Sequence, residues 1–297
     1  MNARFRLVAA HPGEATPALA TDEVTLSRRA RQRARRRRAL VYLARVVIAV
    51  VFLGGWELAA RAGWIDTFFW GQPTEIWNQL VTWVRDGTSQ GSLWLQIEVT
   101  VREAFWGFVI GVVLGVISGI TLGRIRFLAD VFGPYIKMAN SIPRIVLASL
   151  FVVTLGLGER AKIATAVVLV FFSVFFNAFQ GAREVDRNLV ANAKILGASD
   201  WRITTHVVLP SAMTWIIASL HTAFGFALIG AIVGEFVGAS KGLGLLIRSS
   251  QGSFLINGVY AGMFILGAVA LIAEALITAL ENRLLAWRPP QLTNAGL

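Results

Sequence analysis

The side chains that could do chemistry in this sequence are few, and their spacing excludes most reactions. It contains no cysteine, which removes disulfides, thiolate metal sites and thiol catalysis together. Its three histidines, His11, His206 and His221, lie far apart without metal-ligand spacing. A G-x-x-x-x-G-K-[ST] phosphate loop is missing, and Gly242-Leu243-Gly244 is too short and too apolar in context to cradle a nucleotide. Those glycines suit a tight turn. No grouped carboxylates or histidines are evident that would serve an intramembrane enzyme or an ion-coupled secondary transporter.

What remains is isolated charge within or beside apolar stretches. Arg144 follows Pro143. Proline removes a backbone donor and clashes with the preceding turn, so a helix should break or start there. Such a break is tolerated in a membrane where it lines a protein-enclosed or watery cavity. A half-helix starting at Arg144 would turn its positive end and a guanidinium toward that cavity, which makes Arg144 a candidate contact for an anionic solute. The alternatives are snorkelling to a membrane face or pairing with a carboxylate. Glu235 is a second candidate on a solute pathway, as a gate or docking contact at the external mouth; a structural salt bridge is its other reading. Glu274 can face another helix or a second copy of the chain, and His221 reads as a hydrogen-bonded packing residue.

The elements that would hold these charges are apolar. Of 297 residues, 56% are hydrophobic and only 15% charged, below the quarter usual for soluble domains. Residues 104–123 and 163–182 contain no charged side chain, and about 20 such residues span a bilayer core. Six spans are expected, near 40–60, 104–122, 128–157, 163–179, 212–233 and 259–280. The third is interrupted by Asp130, Lys137, Asn140, Pro143 and Arg144. Residues 1–39 form a basic, largely disordered N-terminal segment, 40–288 the membrane domain and 289–297 a C-terminal tail. The net charge of +11 is concentrated in arginines 28–38, just before the first span. That placement fits cytoplasmic orientation and attraction to anionic lipid rather than nucleic acid. Arg124, Arg126, the arm below, Arg283 and Arg288 fall on the same side, against Arg160, Lys162, Lys241 and Arg248 on the other, so both termini are expected in the cytoplasm. Between the first two spans lie Trp64, Trp70, Trp77, Trp83 and Trp94, suited to the membrane–water boundary, with Thr74 as a candidate N-cap of a short helix.

The stretch REVDRNLVANAKILGASDWRITTHVVLP, residues 183–210, is polar, helix-forming and far longer than a turn requires. Loops of that length without a purpose are uncommon. It divides into short helices over 183–196 and 199–206 separated by Gly197, which can end a helix in the left-handed conformation. Leu209-Pro210 then begins the climb into the next span.

This spacing resembles the cytoplasmic coupling loop of ABC-importer permeases. The segments TVREAFWGFVIGVVLG, SIPRIVLASLFVVTLGLGERAKI and GAIVGEFVGASKGLGLLI are similar to those of the nitrate/sulfonate/taurine group, over about residues 72–287. The resemblance implies an all-α permease of an inner membrane that moves a small, anionic solute inward without covalent chemistry or a cofactor of its own. Members of the group also carry thiamine precursors and aromatic acids. It further implies a homodimer, two cytoplasmic ATPase subunits binding ATP and Mg, and an external solute-binding protein. Carried over by motif, the ATPase-coupling residues are Ala191, Asn192, Ala193, Gly197, Ala198, Leu209 and Pro210. Of the family's Glu-Ala-Ala triplet, only Ala193 is kept.

Overall fold

The computed structural model describes residues 17–284, with side chains from residue 35 onward. His11, Arg288 and the tail 289–297 lie outside the described residues. The chain is helical throughout this range, without strands among the described residues, as its apolar runs demand in a medium that cannot satisfy free backbone groups. It divides into two units, residues 1–65 and 66–297.

The first unit is the single helix α1 (Pro17–Arg61). The sequence predicts disorder up to residue 39, but the helix starts at Pro17. Proline is compatible with a first helical turn, and the alanine-, arginine- and leucine-rich run after it favours helix. Its apolar part, Arg35–Arg61, is long enough to cross a bilayer. At its end Arg61 Nε donates to Glu57 Oε1 at 2.6 Å, one helical turn away as the spacing predicts.

The second unit begins with two short helices, α2 (Thr67–Trp70) and α3 (Pro73–Arg85). The expected N-cap at Thr74 is not used: Gln72 occupies the cap position and Pro73 the first turn, where its missing N–H costs nothing. Of the five tryptophans between the first two spans, Trp83 is buried and the other four are exposed.

Three long helices form the core: α4 (Leu93–Arg124), then, after α5 (Arg126–Ser141) and α6 (Arg144–Leu155), α7 (Glu159–Arg183). The chain continues through α8 (Arg187–Ile195) and α9 (Asp200–Ile203) to α10 (Leu209–Val237), the third core helix. Two further helices, α11 (Leu243–Gly252) and α12 (Ile256–Leu284), complete the described fold. The central helix, α7, packs against both α4 and α10. A glycine every fourth residue on α4 (107, 111, 115, 119 and 123) faces Ala166, Val170, Val174, Ala178 and Ala182 of α7 in turn. A β-carbon on Gly111, Gly115, Gly119 or Gly123 would meet these side chains at 2.6 to 2.9 Å, well inside contact distance. This close backbone approach provides the van der Waals adhesion that lipid-embedded helices rely on. Gly230 and Gly234 of α10 repeat the device against Ala166 and Lys162.

Among the described residues, five helices are long and apolar enough to cross a membrane, or six if the bent pair α5–α6 counts as one span. That pair meets at 90°, at the Pro143 break the sequence predicts. The fifth span differs from expectation. Residues 200–237 run as one helix, so the second half of the arm is not a separate short helix but the first turns of α10. Inside it lies a π-helical turn, Thr204–Val208, where the Leu209 N–H reaches back to the Thr204 carbonyl. Pro210 has no N–H to offer the His206 carbonyl, and widening the turn accommodates that missing bond. Leu209-Pro210 therefore marks a bulge within a span rather than its beginning.

Candidate functional site

The arm projects from one end of the three-helix core and is built by capping. The Asp186 carboxylate accepts from the Asn188 N–H at 2.8 Å and starts α8. At its far end the Gly197 N–H donates to the Lys194 carbonyl at 2.9 Å and the Ala198 N–H to the Ala193 carbonyl at 3.0 Å. This pair of bonds is a Schellman motif. It places the residue after the cap in the left-handed region, and Gly197 has φ +78°. Ser199 then caps the next turn, its hydroxyl accepting from the Arg202 N–H at 3.4 Å. Ending one helix and beginning another within four residues reverses the chain sharply and fixes the tip.

Two faces result. The inner one roots the arm: Val190, Ala193, Ala198 and Val207 pack on Ile203, Val208, Ala212, Ala178 and Ala182. Arg124 at the end of α4 adds a polar tie, donating to the Asp200 carbonyl at 3.0 Å, to its carboxylate at 3.2 Å, and to the Thr204 hydroxyl. The outer face shows Leu189, Trp201, Ile195 and Leu196, the last two 82% and 86% exposed. Four large apolar side chains on a polar projection form a surface suited to a protein partner. Ala191 and Asn192 lie exposed beside them, and Ala193 is half-buried. The one alanine of the triplet that is kept is thus the one that packs inward; the two replaced positions face outward.

At the opposite end of the core lies a buried polar knot that the sequence did not disclose. Gln96, Thr100 and Glu103 line one face of α4, Lys162 sits in the first turn of α7, and Glu235 lies near the end of α10; all five are buried. They hold the start of α11 by its backbone. The Gly242 N–H donates to Gln96 Oε1 at 2.7 Å, the Leu243 N–H to Thr100 Oγ1 at 2.8 Å, and the Gly244 N–H to Glu235 Oε2. The Thr100 hydroxyl in turn donates a hydrogen bond to Glu235 Oε1 at 2.6 Å. Three successive amides at a helix N-terminus, which no intrahelical carbonyl can satisfy, are thus each capped by a side chain from another helix. Lys162 Nζ donates to the Leu157 and Gly158 carbonyls, fastening the end of α6.

Glu235 thus sits inside this knot as the acceptor that holds the turn. It makes no salt bridge among the described residues, because the hydroxyl and amide donors of the turn occupy its oxygens. It is also fully buried, so it lines no open path in this conformation. Two carboxylates that sequence spacing did not group also meet here. Glu103 and Glu235 are 132 positions apart in sequence and come together beside Lys162 through the packing of α4, α7 and α10. They do so at the span ends rather than at the midplane.

Arg144 begins α6 as expected, at the kink. Its guanidinium donates to Asn140 Oδ1 at 2.7 Å and to the Ile142 carbonyl at 3.2 Å, and lies 5.3 Å from the Phe172 ring centre. These contacts close the break between α5 and α6. Arg144 lines neither of the two clefts near the arm. His221 joins α10 to α12, with Nδ1 2.7 Å from Glu274 Oε1 and Nε2 2.7 Å from Glu281 Oε2. Both residues thus behave as the sequence suggests, His221 hydrogen-bonded and Glu274 facing another helix.

Comparison with known proteins agrees with this architecture. Residues 111–286, more than half the chain, match the family model described as binding-protein-dependent transport system inner membrane component. The putative aliphatic sulfonates transport permease SsuC of Bacillus subtilis is 27% identical over 243 residues, 82% of this chain and 87% of that protein. The taurine transport system permease TauC of Escherichia coli is 26% identical over 80% of this chain and 86% of its own length. The formylaminopyrimidine transport permease ThiX of Halalkalibacterium halodurans is 29% identical over 80% and 92%. Among solved structures, an inward-facing form of the MetNI methionine ABC transporter superposes with a TM-score of 0.51 at 23% identity, covering 65% of this chain and 92% of that one. With its all-helical core, its capped arm and a match across most of the membrane domain, this chain belongs to the inner-membrane components of binding-protein-dependent transport systems.

Proposed function

We propose that this permease conducts a small sulfonate-type anion into the cytoplasm, as one half of a homodimer driven by two ATPase subunits and fed by an external solute-binding protein. ATP and Mg belong to the ATPases. Both termini and the arm lie on the cytoplasmic side, following the basic residues at the ends of α4, α7 and α12. The observation that carries the reading is the arm itself, a rigidly capped projection rooted in the core and presenting Leu189, Ile195, Leu196 and Trp201 outward. A partner gripping that surface can transmit its motion through Arg124 to α4 and through the continuous helix to α10. The likeness to the sulfonate and taurine permeases supports the solute class. The comparable likeness to ThiX favours a second reading, a pyrimidine-type thiamine precursor as solute.

The test is uptake by proteoliposomes containing the permease, its cognate ATPase and its binding protein. Labelled taurine or an alkanesulfonate should accumulate only when all three proteins and ATP are present. Accumulation of formylaminopyrimidine instead selects the second reading. Uptake by this chain alone, driven by an ion gradient, would replace both with a secondary transporter.

A further inference from the structure

Beside the root of the arm is a cleft of about 630 Å³ between the ends of α4 and α7, the start of α5 and helix α8. Its walls carry Arg124, Arg126, Arg183, Arg187 and Lys194 against a single acid, Asp130. Arg124 is already tied to Asp200. Arg126, Arg187 and Lys194 have no hydrogen-bond or ion-pair partner among the described residues, and Arg183 lies over the Phe179 ring, 5.4 Å from its centre. Like charges gathered on a concave surface raise one another's energy unless an anion sits between them. A second crevice shares Leu122, Ala129, Asp130 and Arg183 with the cleft and continues between α5 and α7, with Ile136 and Lys137 on one side and Phe179, Phe176 and Phe175 on the other. The eight helical steps from Arg183 back to Phe175 carry it about 12 Å into the span.

We infer that cleft and crevice together hold one anionic phospholipid, its phosphate among Arg126, Arg183, Arg187 and Lys194 and an acyl chain along the phenylalanines. The charge calls for an anion. The apolar continuation, entering from the level where the spans end, calls for one that carries a hydrocarbon chain. Basic pockets between membrane helices at that level suit acidic head groups. A free anion would use the cleft and leave the crevice without a role. The arm residues Arg187 and Lys194 share this site with the roots of α4 and α7, so the bound lipid braces the arm against the core.

The purified full chain, incubated with phosphatidylglycerol or with phosphatidylcholine of the same chains, can be examined by native mass spectrometry. The acidic lipid should be retained in preference. Each basic side chain contributes roughly fivefold to such binding, so Arg126→Gln, Arg187→Gln and Lys194→Gln together should weaken retention on the order of a hundredfold. All three side chains are exposed, so the triple variant should keep its thermal unfolding profile in phosphatidylcholine nanodiscs. Phe176→Asn, which leaves the charges in place, should also lower retention. Inorganic phosphate should displace the lipid only at concentrations far above those at which the lipid binds. Equal retention of the two lipids, or a triple variant that still retains phosphatidylglycerol, would overturn the inference. So would displacement by phosphate at comparable concentration, which would make the cleft a free-anion site.

Discussion

The close approach of α4 to α7 at Gly111 gives the clearest prediction. In Gly111→Ala the new β-carbon would lie 2.6 Å from Val170 Cβ, 2.7 Å from Val170 Cγ1 and 3.0 Å from the Val167 carbonyl oxygen. Carbon atoms prefer about 3.5–4.0 Å, so the helices must part locally by about 1 Å. Val170 is completely buried and cannot swing away. Overpacking of this kind costs about 1–3 kcal/mol. Alanine also favours helix over glycine, by up to about 1 kcal/mol, and that gain must be removed from the comparison. Gly225→Ala on α10 serves: it makes the same change where nothing lies within 4 Å. The propensity gain then cancels between the two variants, and the difference isolates the steric cost. Equilibrium unfolding by steric trapping in bicelles should find Gly111→Ala less stable than Gly225→Ala by about 1–3 kcal/mol, roughly 5- to 150-fold in the unfolding equilibrium. Equal stability of the two would refute the close approach of α4 to α7 and the packing argument built on it.

Other consequences follow from the caps and the knot. Thr100→Val keeps the side-chain shape but strips a buried amide, that of Leu243, and a carboxylate oxygen of Glu235 of their partner; unfolding measurements should show a loss of about 1–3 kcal/mol, and wild-type stability would dissolve the knot. In Gly197→Pro the residue can neither adopt φ +78° nor donate to Lys194. ATP hydrolysis by the associated ATPase should then proceed without uptake, and normal coupling would show that the arm's cap does not matter. Arg144→Gln removes the ties that close the α5–α6 kink. Folded yield should fall while the half-saturation constant for uptake stays unchanged; a rise of about tenfold or more, the size of a lost charge-assisted hydrogen bond, would return Arg144 to the solute path.

The elements whose physics is local were legible in the sequence. Apolar runs marked the spans, Pro143 the kink, Gly197 the turn of the arm, and the four-residue spacing of Glu57 and Arg61 their ion pair. What escaped depends on packing between distant segments. Nothing in the sequence alone pairs Glu235 with Thr100 or gives Gln96 the Gly242 amide, because those contacts exist only once α4, α10 and α11 meet. The glycines of α4 at 107, 111, 115, 119 and 123 went unread for the same reason, since their role appears only when α7 lies against them. Continuity of α9 with α10 was hidden for a different reason. Proline at 210 reads as a boundary, and only the wider π turn before it lets the helix continue.

In the proposed function, the 183–210 arm carries the drive from a separate ATPase. The chain lacks cysteine, so single cysteines report position without background. Ile195→Cys and Trp201→Cys, both on the exposed outer face, should cross-link to the cognate ATPase in membranes, and the cross-link should arrest uptake. Trp94→Cys, exposed near the start of α4 at the opposite end of the core, should not cross-link. An ATPase that joins to position 94, or that reaches neither arm position while still supporting uptake, would contradict the account.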